Sequence, residues 1–197
     1  MFRGLDEAYG TYRIDSKQTN GKNVGKASVV REPRTTEHWV KHLDGTGDAL
    51  GIVPINAENK SVFGAIDIDE YSLDHTRLIK KIRKMKLPLV MCRSKSGGAH
   101  CYLFCTDWIS AKEMQETLST MCSALGYSGS EIFPKQRQLQ LARGDIGNFI
   151  NCPYFEADSG LRYSILDDGA AATLDEFLDQ YDQYVQTPEQ IAALQIE

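Results

Sequence analysis

Two acidic side chains, Asp67 and Asp69, end an apolar run that begins at residue 61 and has the composition of a β-strand. In a strand, residues two apart project from the same face, so both carboxylates point the same way. Two carboxylates this close repel each other unless a cation lies between them, and their hard oxygen atoms suit Mg²⁺ or Mn²⁺ better than zinc. The pattern predicts half of a divalent-metal site. The alternative is an acidic turn that only ends a strand.

A loop at residues 93–100, RSKSGGAH, lies between two predicted strands and combines cations, hydroxyl groups, glycines and a histidine. Glycine lets backbone N–H groups approach an anion closely, and the neighbouring side chains add further donors. The loop therefore has the composition of a triphosphate cradle, although it lacks the GK[ST] of a Walker A loop. Its predicted donors are Lys95, Ser96, Gly97, Gly98 and His100. A plain hairpin loop with a surface histidine is the alternative.

A third acid, Glu131, stands at the edge of an apolar strand, as Asp69 does. Three carboxylates can hold two divalent ions, so Glu131 would complete the site. Asp145 is the rival third carboxylate, and a solvent-facing glutamate is the alternative at position 131. The nearby candidates for phosphate or template contacts are Lys135, Gln136, Arg137 and Arg143.

The elements that must position these groups follow from periodicity and capping residues. Residues 1–35 look irregular, and the Gly/Asn/Lys loop at 17–26 cannot be assigned. The predicted strands cover residues 50–55, 61–69, 89–92, 100–105, 138–142 and 161–166, the first two forming a hairpin that ends at the carboxylates. The predicted helices cover residues 36–43, 73–86 and 110–124, and two more start at Thr173 and Thr187.

The net charge of −5 is unevenly distributed along the 197 residues. Residues 156–197 contain ten acidic residues and one basic residue, Arg162, whereas residues 77–95 contain eight Lys or Arg and no acid. The basic segment predicts phosphate contacts, and a solvated helix face is the alternative. The predicted DNA-binding residues are Arg31, Arg34, Arg77, Lys80, Lys81 and Lys84.

No apolar run approaches the roughly 20 residues of a membrane span, and the N-terminus has no signal-peptide core. We therefore expect a cytoplasmic protein without a membrane partner. The five cysteines lie mostly in apolar strings, which predicts reduced core residues. A zinc cluster of His100, Cys101 and Cys105 is disfavoured because no CxxC is present.

Six motifs, in this order and at these spacings, resemble the catalytic domain of the archaeo-eukaryotic primase superfamily: FRGLDEAYG, WVKHLDGTGDALGIVPI, FGAIDID, SKSGGAH, EIFPKQ and GNFINCPYF. The resemblance is to the primase-polymerases of phages, plasmids and TOTE conflict systems, and it covers the chain to about residue 155. Each motif alone is weak, whereas the combination is specific.

The resemblance implies roles for individual residues. Metal-binding aspartates of the first motif match Asp67 and Asp69, and the acidic ligand of the third matches Glu131. The histidine that ends the second motif contacts the nucleotide's phosphates and matches His100. Many members have Ser-x-His there; Gly98 occupies the serine position in this chain, and Ser96 lies two residues earlier, so backbone donors would replace the hydroxyl. The implied nucleotide-binding residues are Lys95, Ser96, Gly97, Gly98, His100, Lys135, Arg143 and Asn148.

The resemblance also implies an α/β (α+β) fold, in which an RRM-like antiparallel sheet carries the acids and helices cover its back. An N-terminal α/β lobe would form the other wall of a groove. We expect a single domain over residues 1–197, with the N-terminal lobe at 1–60, the catalytic core at 61–166 and an acidic helical segment at 167–197. That segment is compatible with a following helicase domain and with an authentic acidic end.

The implied function is that of a DNA primase and polymerase, which performs template-directed, two-metal nucleotidyl transfer during replication of a phage or mobile element. Its cofactors would be two Mg²⁺ or Mn²⁺ ions, its substrates dNTPs or NTPs, and its partner single-stranded or primed DNA. We expect a monomer, in the host cytoplasm if the protein is phage-encoded.

Two other functions stay open. The first is a non-catalytic replication-initiator module that binds single-stranded DNA, for which aromatic and basic residues are present: Tyr9, Tyr12, Trp39, Arg31 and Arg34. The second is a DxD enzyme that uses a nucleotide sugar with Mn²⁺. It would share Asp67 and Asp69 but leaves EIFPKQ without a role.

Overall fold

The computed structural model describes residues 1–17 and 23–196, so the middle of the loop at 17–26 lies outside the described residues. The strands are β1 (Tyr9–Lys17), β2 (Asn23–Val30), β3 (Ala49–Ile52), β4 (Lys60–Ile68), β5 (Leu89–Arg93), β6 (Ala99–Ser110), β7 (Glu131–Phe133) and β8 (Ile150–Asn151). The helices are α1 (Thr36–Asp44), α2 (His75–Lys84), α3 (Ala111–Ala124), α4 (Leu174–Tyr184) and α5 (Pro188–Ala192).

These strands form two four-stranded sheets whose named pairs are antiparallel. The N-terminal sheet has the order β2-β1-β3-β8, and the central sheet has the order β5-β6-β4-β7. Along the chain the central sheet is built as β4-α2-β5-β6-α3-β7, which is the βαββαβ pattern of an RRM-like fold. The predicted α/β fold with an RRM-like antiparallel core is therefore confirmed.

One face of the central sheet is covered by helices. Ile66 and Ile68 of β4 share a buried cluster with the apolar side chains of α2 and α3. Gly64 lies on the same face, and a Cβ there would stand 2.5 Å from Leu118 Cδ1 of α3. The missing side chain lets α3 approach the sheet closely.

The other face of the central sheet, here called the groove face, meets the N-terminal sheet. Phe63 of β4 and Tyr102 and Phe104 of β6 share a buried cluster with Leu50 and Ile52 of β3. Because successive residues of a strand alternate between faces, Asp67 lies on the groove face, in line with Phe63. The apolar layer between the two sheets therefore gives way to a polar site at the end of β4.

Several expected elements differ from the structure. Strands β3 and β4 belong to different sheets, so the predicted hairpin between them is wrong; Pro54 follows β3, lacks an N–H donor and is buried between the two strands. Residues 9–30, expected to be irregular, contain β1 and β2, whose polar residues hide the strand pattern. A 3₁₀ turn replaces the predicted strand at 138–142, and the strand predicted at 161–166 is reduced to isolated bridges at Ser164 and Ile165.

The predicted segments interlock in three dimensions. Strand β8, which falls within the predicted core at 61–166, pairs with β3 in the N-terminal sheet. The last segment packs back onto the central sheet through Phe177 of α4 and a parallel bridge between Gln186 and Cys105. All five cysteines are buried and free, as predicted. Among the described residues, none of the helices combines the length and apolar character needed to cross a bilayer.

Candidate active site

Three predicted site residues stand side by side across the central sheet. Asp67 of β4 is directly opposite His100 of β6 on one side and Glu131 of β7 on the other. Directly opposed residues of antiparallel strands project from the same face. Asp67, His100 and Glu131 therefore form one row on the groove face, although the chain separates them by more than thirty positions at each step.

His100 is held between Asp67 and a buried tyrosine. Tyr102 donates its O–H to the carbonyl oxygen of Asn151 at 3.0 Å, so its oxygen accepts from Nδ1 of His100 at 3.1 Å. Nε2 of the imidazole then faces Oδ1 of Asp67 at 3.4 Å. Burial raises the pKa of Tyr102 well above its ordinary value, so the hydroxyl keeps its proton and continues to donate.

Asp69 lies just beyond β4, next to the tip of the β5–β6 hairpin. The hydroxyl of Ser96 donates to Oδ1 of Asp69 at 3.3 Å. The hairpin tip is a tight turn in which the amide of Gly97 donates to Ser94 O at 3.1 Å, and Gly97 has φ +93°. The Gly97 amide, predicted to bind phosphate, is therefore already used to close the turn.

Gly98 brings the hairpin against the end of β4. A Cβ at position 98 would overlap the carbonyl oxygen of Ile68, so only glycine allows this approach. The Gly98 carbonyl accepts from Ser94 N at 2.9 Å and contacts Nε2 of His75 at 3.0 Å. Gly98 thus fixes the distance between the hairpin and the aspartates.

Glu131 forms an ion pair with Lys135, four residues later in the chain. Nζ of Lys135 lies 2.7 Å from Oε1 of Glu131, and the glutamate side chain is 60% exposed. Within residues 1–17 and 23–196, the side chains do not bring three or more His, Cys, Asp or Glu together in a metal-binding group. The backbone register therefore aligns the acids, while each carboxylate lies against another side chain of the protein: Asp67 against His100, Asp69 against Ser96 and Glu131 against Lys135.

The chemistry of this donor set fits a divalent cation. The carboxylates of Asp67, Asp69 and Glu131 provide hard oxygen ligands at the solvent-accessible edge of the groove, where Mg²⁺ or Mn²⁺ would take the place of their present side-chain contacts. Asp145, the rival third acid, instead accepts from Gly147 N at 2.9 Å within its own loop. The metal site itself stays a prediction.

A zinc cluster at His100 is excluded by the strand geometry. Cys101 and Cys105 point to the helix-covered face of the central sheet, whereas His100 lies on the groove face. Burial raises the pKa of Cys101 to about 12, so its thiol stays protonated at neutral pH.

Three more residues that were predicted to bind the nucleotide lie outside the row: Lys95, Arg143 and Asn148. Nζ of Lys95 lies 3.4 Å from the ring centroid of Tyr12 in β1, so it points across the groove to the N-terminal sheet. Arg143 is exposed on the 3₁₀ turn. Oδ1 of Asn148 accepts from Nε2 of Gln136 at 2.5 Å, which joins the segment after β7 to the segment before β8.

The predicted DNA-binding cations do not line the acidic row. The four on α2 are exposed on the layer that covers the opposite face of the central sheet: Arg77, Lys80, Lys81 and Lys84. Arg34 donates to Leu5 O at 2.8 Å and so binds the N-terminal segment, while Arg31 donates to Gly144 O at 2.9 Å. Tyr9 and Trp39 pack in or against the buried cluster between the sheets.

Two residues that position His100, Tyr102 and Asn151, were not predicted, and neither was Arg162, which lies near the Tyr12 and Phe155 rings. Tyr102 has a sequence signal, because it stands two residues after His100 and must share its face. Arg162 is the single base in an acidic stretch, which marks it as unusual. Asn151 contributes its backbone carbonyl, so its side-chain type gives no signal.

Of two cavities among the described residues, one includes the Glu131 end of the acidic row and the other lies apart from the row. One of about 630 Å³ lies between β1, β2 and α1, where Arg13, Lys26, His38 and Lys41 contribute to its lining. One of about 530 Å³ lies beside α3 and includes Glu131 and Lys135. The row itself is an open edge of the groove.

Comparisons with known proteins give one family. The family model described as "TOTE conflict system, Archaeo-Eukaryotic Primase domain" matches residues 8–196. No curated protein matches the sequence. Among solved structures, the AEP domain of the cyanophage S-2L primase-polymerase is 11% identical, with a TM-score of 0.45 and 88% of each chain covered. The catalytic domain of primase RepB′, solved in complex with initiator DNA, is 13% identical, with a TM-score of 0.40 and coverage of 90% of this chain and 87% of that chain.

Proposed function

Because the chain belongs to the archaeo-eukaryotic primase domain family of TOTE conflict systems, we propose that it is a primase-polymerase that joins nucleotides under the direction of a DNA template. The substrates are dNTPs or NTPs, and the partner is single-stranded or primed DNA. The observation that carries the proposal is the row of Asp67, His100 and Glu131 on the groove face.

The aspartates and the glutamate are the proposed metal ligands. Two Mg²⁺ or Mn²⁺ ions bound by Asp67, Asp69 and Glu131 supply activation of the attacking hydroxyl and neutralisation of the triphosphate. The strand register supports this assignment, because it fixes the backbone of Asp67 opposite that of Glu131. The backbone is thus already aligned, and cation binding requires Glu131 to exchange its contact with Lys135 for a metal ion.

His100 and Lys95 are the proposed phosphate contacts. His100 is fixed by the Tyr102 hydroxyl, so its imidazole has one orientation next to Asp67. Lys95 stands on the hairpin tip that Gly98 holds against β4. Both side chains therefore orient a triphosphate on the β5–β6 side of the aspartates, which leaves the β7 side for the reacting hydroxyl.

The test is incorporation of a labelled nucleotide on a primed template with Mn²⁺ or Mg²⁺. Asp67→Asn removes the charge with almost no change in shape, and we expect the rate of incorporation to fall by at least about a hundredfold. Asp107→Asn is the matched control, because Asp107 is exposed towards the far end of β6. It should keep the wild-type rate.

Three results would contradict the proposed function or its metal site. Full incorporation by Asp67→Asn would exclude the metal-binding role of Asp67. Binding of single-stranded DNA by the wild-type chain without incorporation under any divalent cation would instead favour a non-catalytic initiator module. Competition between UDP-sugars and dNTPs for binding would favour the nucleotide-sugar enzyme.

A further inference from the structure

Arg162 is a buried cation without an anionic partner. The residue is 8% exposed, and its Nη1 atom has no hydrogen-bond partner. In the described ranges 1–17 and 23–196, no ion pair within 4.0 Å includes Arg162. Burial lowers its pKa, but a guanidinium in a protein stays charged. A buried unpaired charge destabilises a fold, so its presence needs a reason.

The surroundings of Arg162 bring a second cation close to it. Cζ of Arg162 lies 5.8 Å from the ring centroid of Tyr12 and 5.5 Å from that of Phe155. Nζ of Lys95 lies 3.4 Å from the same Tyr12 ring. The aromatic rings offset part of the desolvation of Arg162. Lys95 and Arg162 contact one ring, and an anion that reached both would be attracted by two positive charges.

Arg162 also lines a cavity of about 190 Å³ together with Tyr12 and Phe155. The cavity contains an acid, Asp48, but this carboxylate is held by two hydrogen bonds from Arg13, at 2.9 and 3.1 Å. The charge of Asp48 is therefore already balanced by Arg13. Arg162 contributes an unbalanced positive charge to a space of the right size for a phosphate group.

The cavity lies next to the proposed nucleotide site. The segment that carries Arg162 runs beside β5: Arg93 N donates to Tyr163 O at 2.8 Å, and Ser164 is bridged to Cys92. Cys92 is directly opposite His100 in the row. Arg162, two residues before Ser164, lies on the groove side of the hairpin that carries Lys95, because it contacts Tyr12 of the N-terminal sheet.

We propose that Arg162, with Lys95 and Tyr12, binds the terminal phosphates of the incoming nucleoside triphosphate. This proposal rests on the nucleotide-binding role proposed above. The triphosphate supplies the anion that Arg162 lacks, and it lies between Arg162 and Lys95. His100 contacts the same phosphate chain nearer to the aspartates.

The direct test measures binding of inorganic triphosphate by calorimetry without divalent cations. Arg162→Gln should weaken binding at least tenfold, and Lys95→Gln, an exposed position, at least threefold. Arg83→Gln is the matched control: Arg83 is also a mostly buried arginine with an unpartnered Nη2 atom, but it pairs with Asp167 at 2.6 Å on the other side of the molecule. Its triphosphate affinity should equal that of the wild type.

Stability separates a binding role from a structural one. If Arg162 serves an absent anion, Arg162→Gln without added anion should keep or raise the midpoint of thermal unfolding. Added triphosphate should raise the midpoint of the wild type and not that of Arg162→Gln. A clear fall of the midpoint in Arg162→Gln, with triphosphate affinity unchanged in Lys95→Gln, would overturn the proposal.

A second arm distinguishes the source of the phosphate. Binding of a single-stranded oligonucleotide with a 5′-hydroxyl should be the same for the wild type and Arg162→Gln. Loss of oligonucleotide binding with unchanged triphosphate affinity would overturn the proposal in favour of a backbone-phosphate contact. Arg162-dependent triphosphate binding by a chain that incorporates no nucleotide would refute the proposed function alone.

Discussion

At the scale of single residues, the orientation of His100 depends on the hydroxyl of the buried Tyr102. Because Tyr102 donates to Asn151 O, it can only accept from Nδ1 of His100. The hydrogen bond to Tyr102 therefore sets the tautomer of His100 and directs its Nε2 towards Asp67. Tyr102 is thus a positioning residue for the proposed phosphate contact.

Tyr102→Phe tests this positioning role. The variant keeps the ring but frees the imidazole to rotate and leaves the Asn151 carbonyl without its donor. We expect nucleotide affinity to fall about threefold to tenfold and the free energy of unfolding to fall by about 1 kcal/mol. Nucleotide titrations and chemical denaturation measure the two effects.

Tyr154→Phe provides the comparison. Tyr154 is another buried tyrosine, whose hydroxyl donates to the backbone carbonyls of Ala172 and Thr173 and accepts from Ser164 N, so it makes no contact with His100. Its loss should lower stability but leave the imidazole in place, so nucleotide affinity should fall less than in Tyr102→Phe. Equal nucleotide affinities for Tyr102→Phe and the wild type would remove Tyr102 from the site.

Sequence reasoning identified the residues whose chemistry is local and overlooked those whose role depends on distant neighbours. Asp67, Asp69 and His100 follow from strand alternation and loop composition. Arg162 became a candidate only when the fold placed it beside Tyr12 and Lys95 without a carboxylate. No spacing in the sequence predicts that contact, because its three members lie on segments joined only through tertiary packing.

At the scale of elements, the β5–β6 hairpin sets the positions of His100 and Lys95, the proposed phosphate contacts. Its register against β4 places His100 opposite Asp67, and its tip contacts the end of β4 at Gly98. A predicted cradle of backbone amides has become a tight turn whose Gly97 amide bonds within the turn. The proposed phosphate contacts of the hairpin are therefore side chains rather than the Gly97 amide.

Gly98→Ala tests the contact between hairpin and strand. Its methyl group would overlap Ile68 O, so the hairpin must move away from the aspartates. We expect the free energy of unfolding to fall by at least about 2 kcal/mol and incorporation to fall by tenfold or more. Denaturant unfolding and the primer-extension rate measure the two effects.

Gly129→Ala is the control for this element. Gly129 precedes β7, and a Cβ there would meet nothing within 4 Å. The variant should keep both stability and rate within about 0.5 kcal/mol and twofold, respectively. If Gly98→Ala behaved in the same way, the hairpin contact would not control the site.

Strands and helices of the central sheet were predictable, whereas the sheet to which each strand belongs was not. The capped helices and apolar strands carry strong periodic signals, as at Ser110 and in residues 61–68. The partner of β3 was mispredicted because adjacency in the chain favours a hairpin. The structure instead separates β3 from β4 at Pro54 and pairs β3 with β1 and β8.

At the scale of the whole molecule, a buried histidine joins three segments. Leu50 N donates to Nδ1 of His42 at 2.9 Å, so Nε2 carries the proton and donates to Pro153 O at 2.7 Å. The imidazole thereby joins α1 to β3 and to the segment after β8. Burial lowers its pKa to about 4, because protonation of Nδ1 would oppose the Leu50 donor inside the core.

This linkage predicts how stability depends on pH. Between pH 6.5 and 4 the unfolded chain binds a proton at His42 that the folded chain does not, so stability is full above pH 6.5 and falls as the pH drops. The loss attributable to His42 is on the order of 3 kcal/mol. His42→Gln should be less stable than the wild type at pH 7.5, and the difference should shrink by pH 5. Denaturation curves that stay equally separated at both pH values would contradict the role of His42.

The row on the groove face also determines how charge is distributed along the groove. Cations stand at both ends, with Lys95 and Arg162 beyond His100 and Lys135 beside Glu131, while the acids occupy the middle. A polyphosphate would be attracted at the ends and repelled at the centre unless divalent cations reversed the sign there. If the chain binds both, as we propose, nucleotide and cation form a thermodynamically coupled pair, each raising the affinity for the other by the same factor.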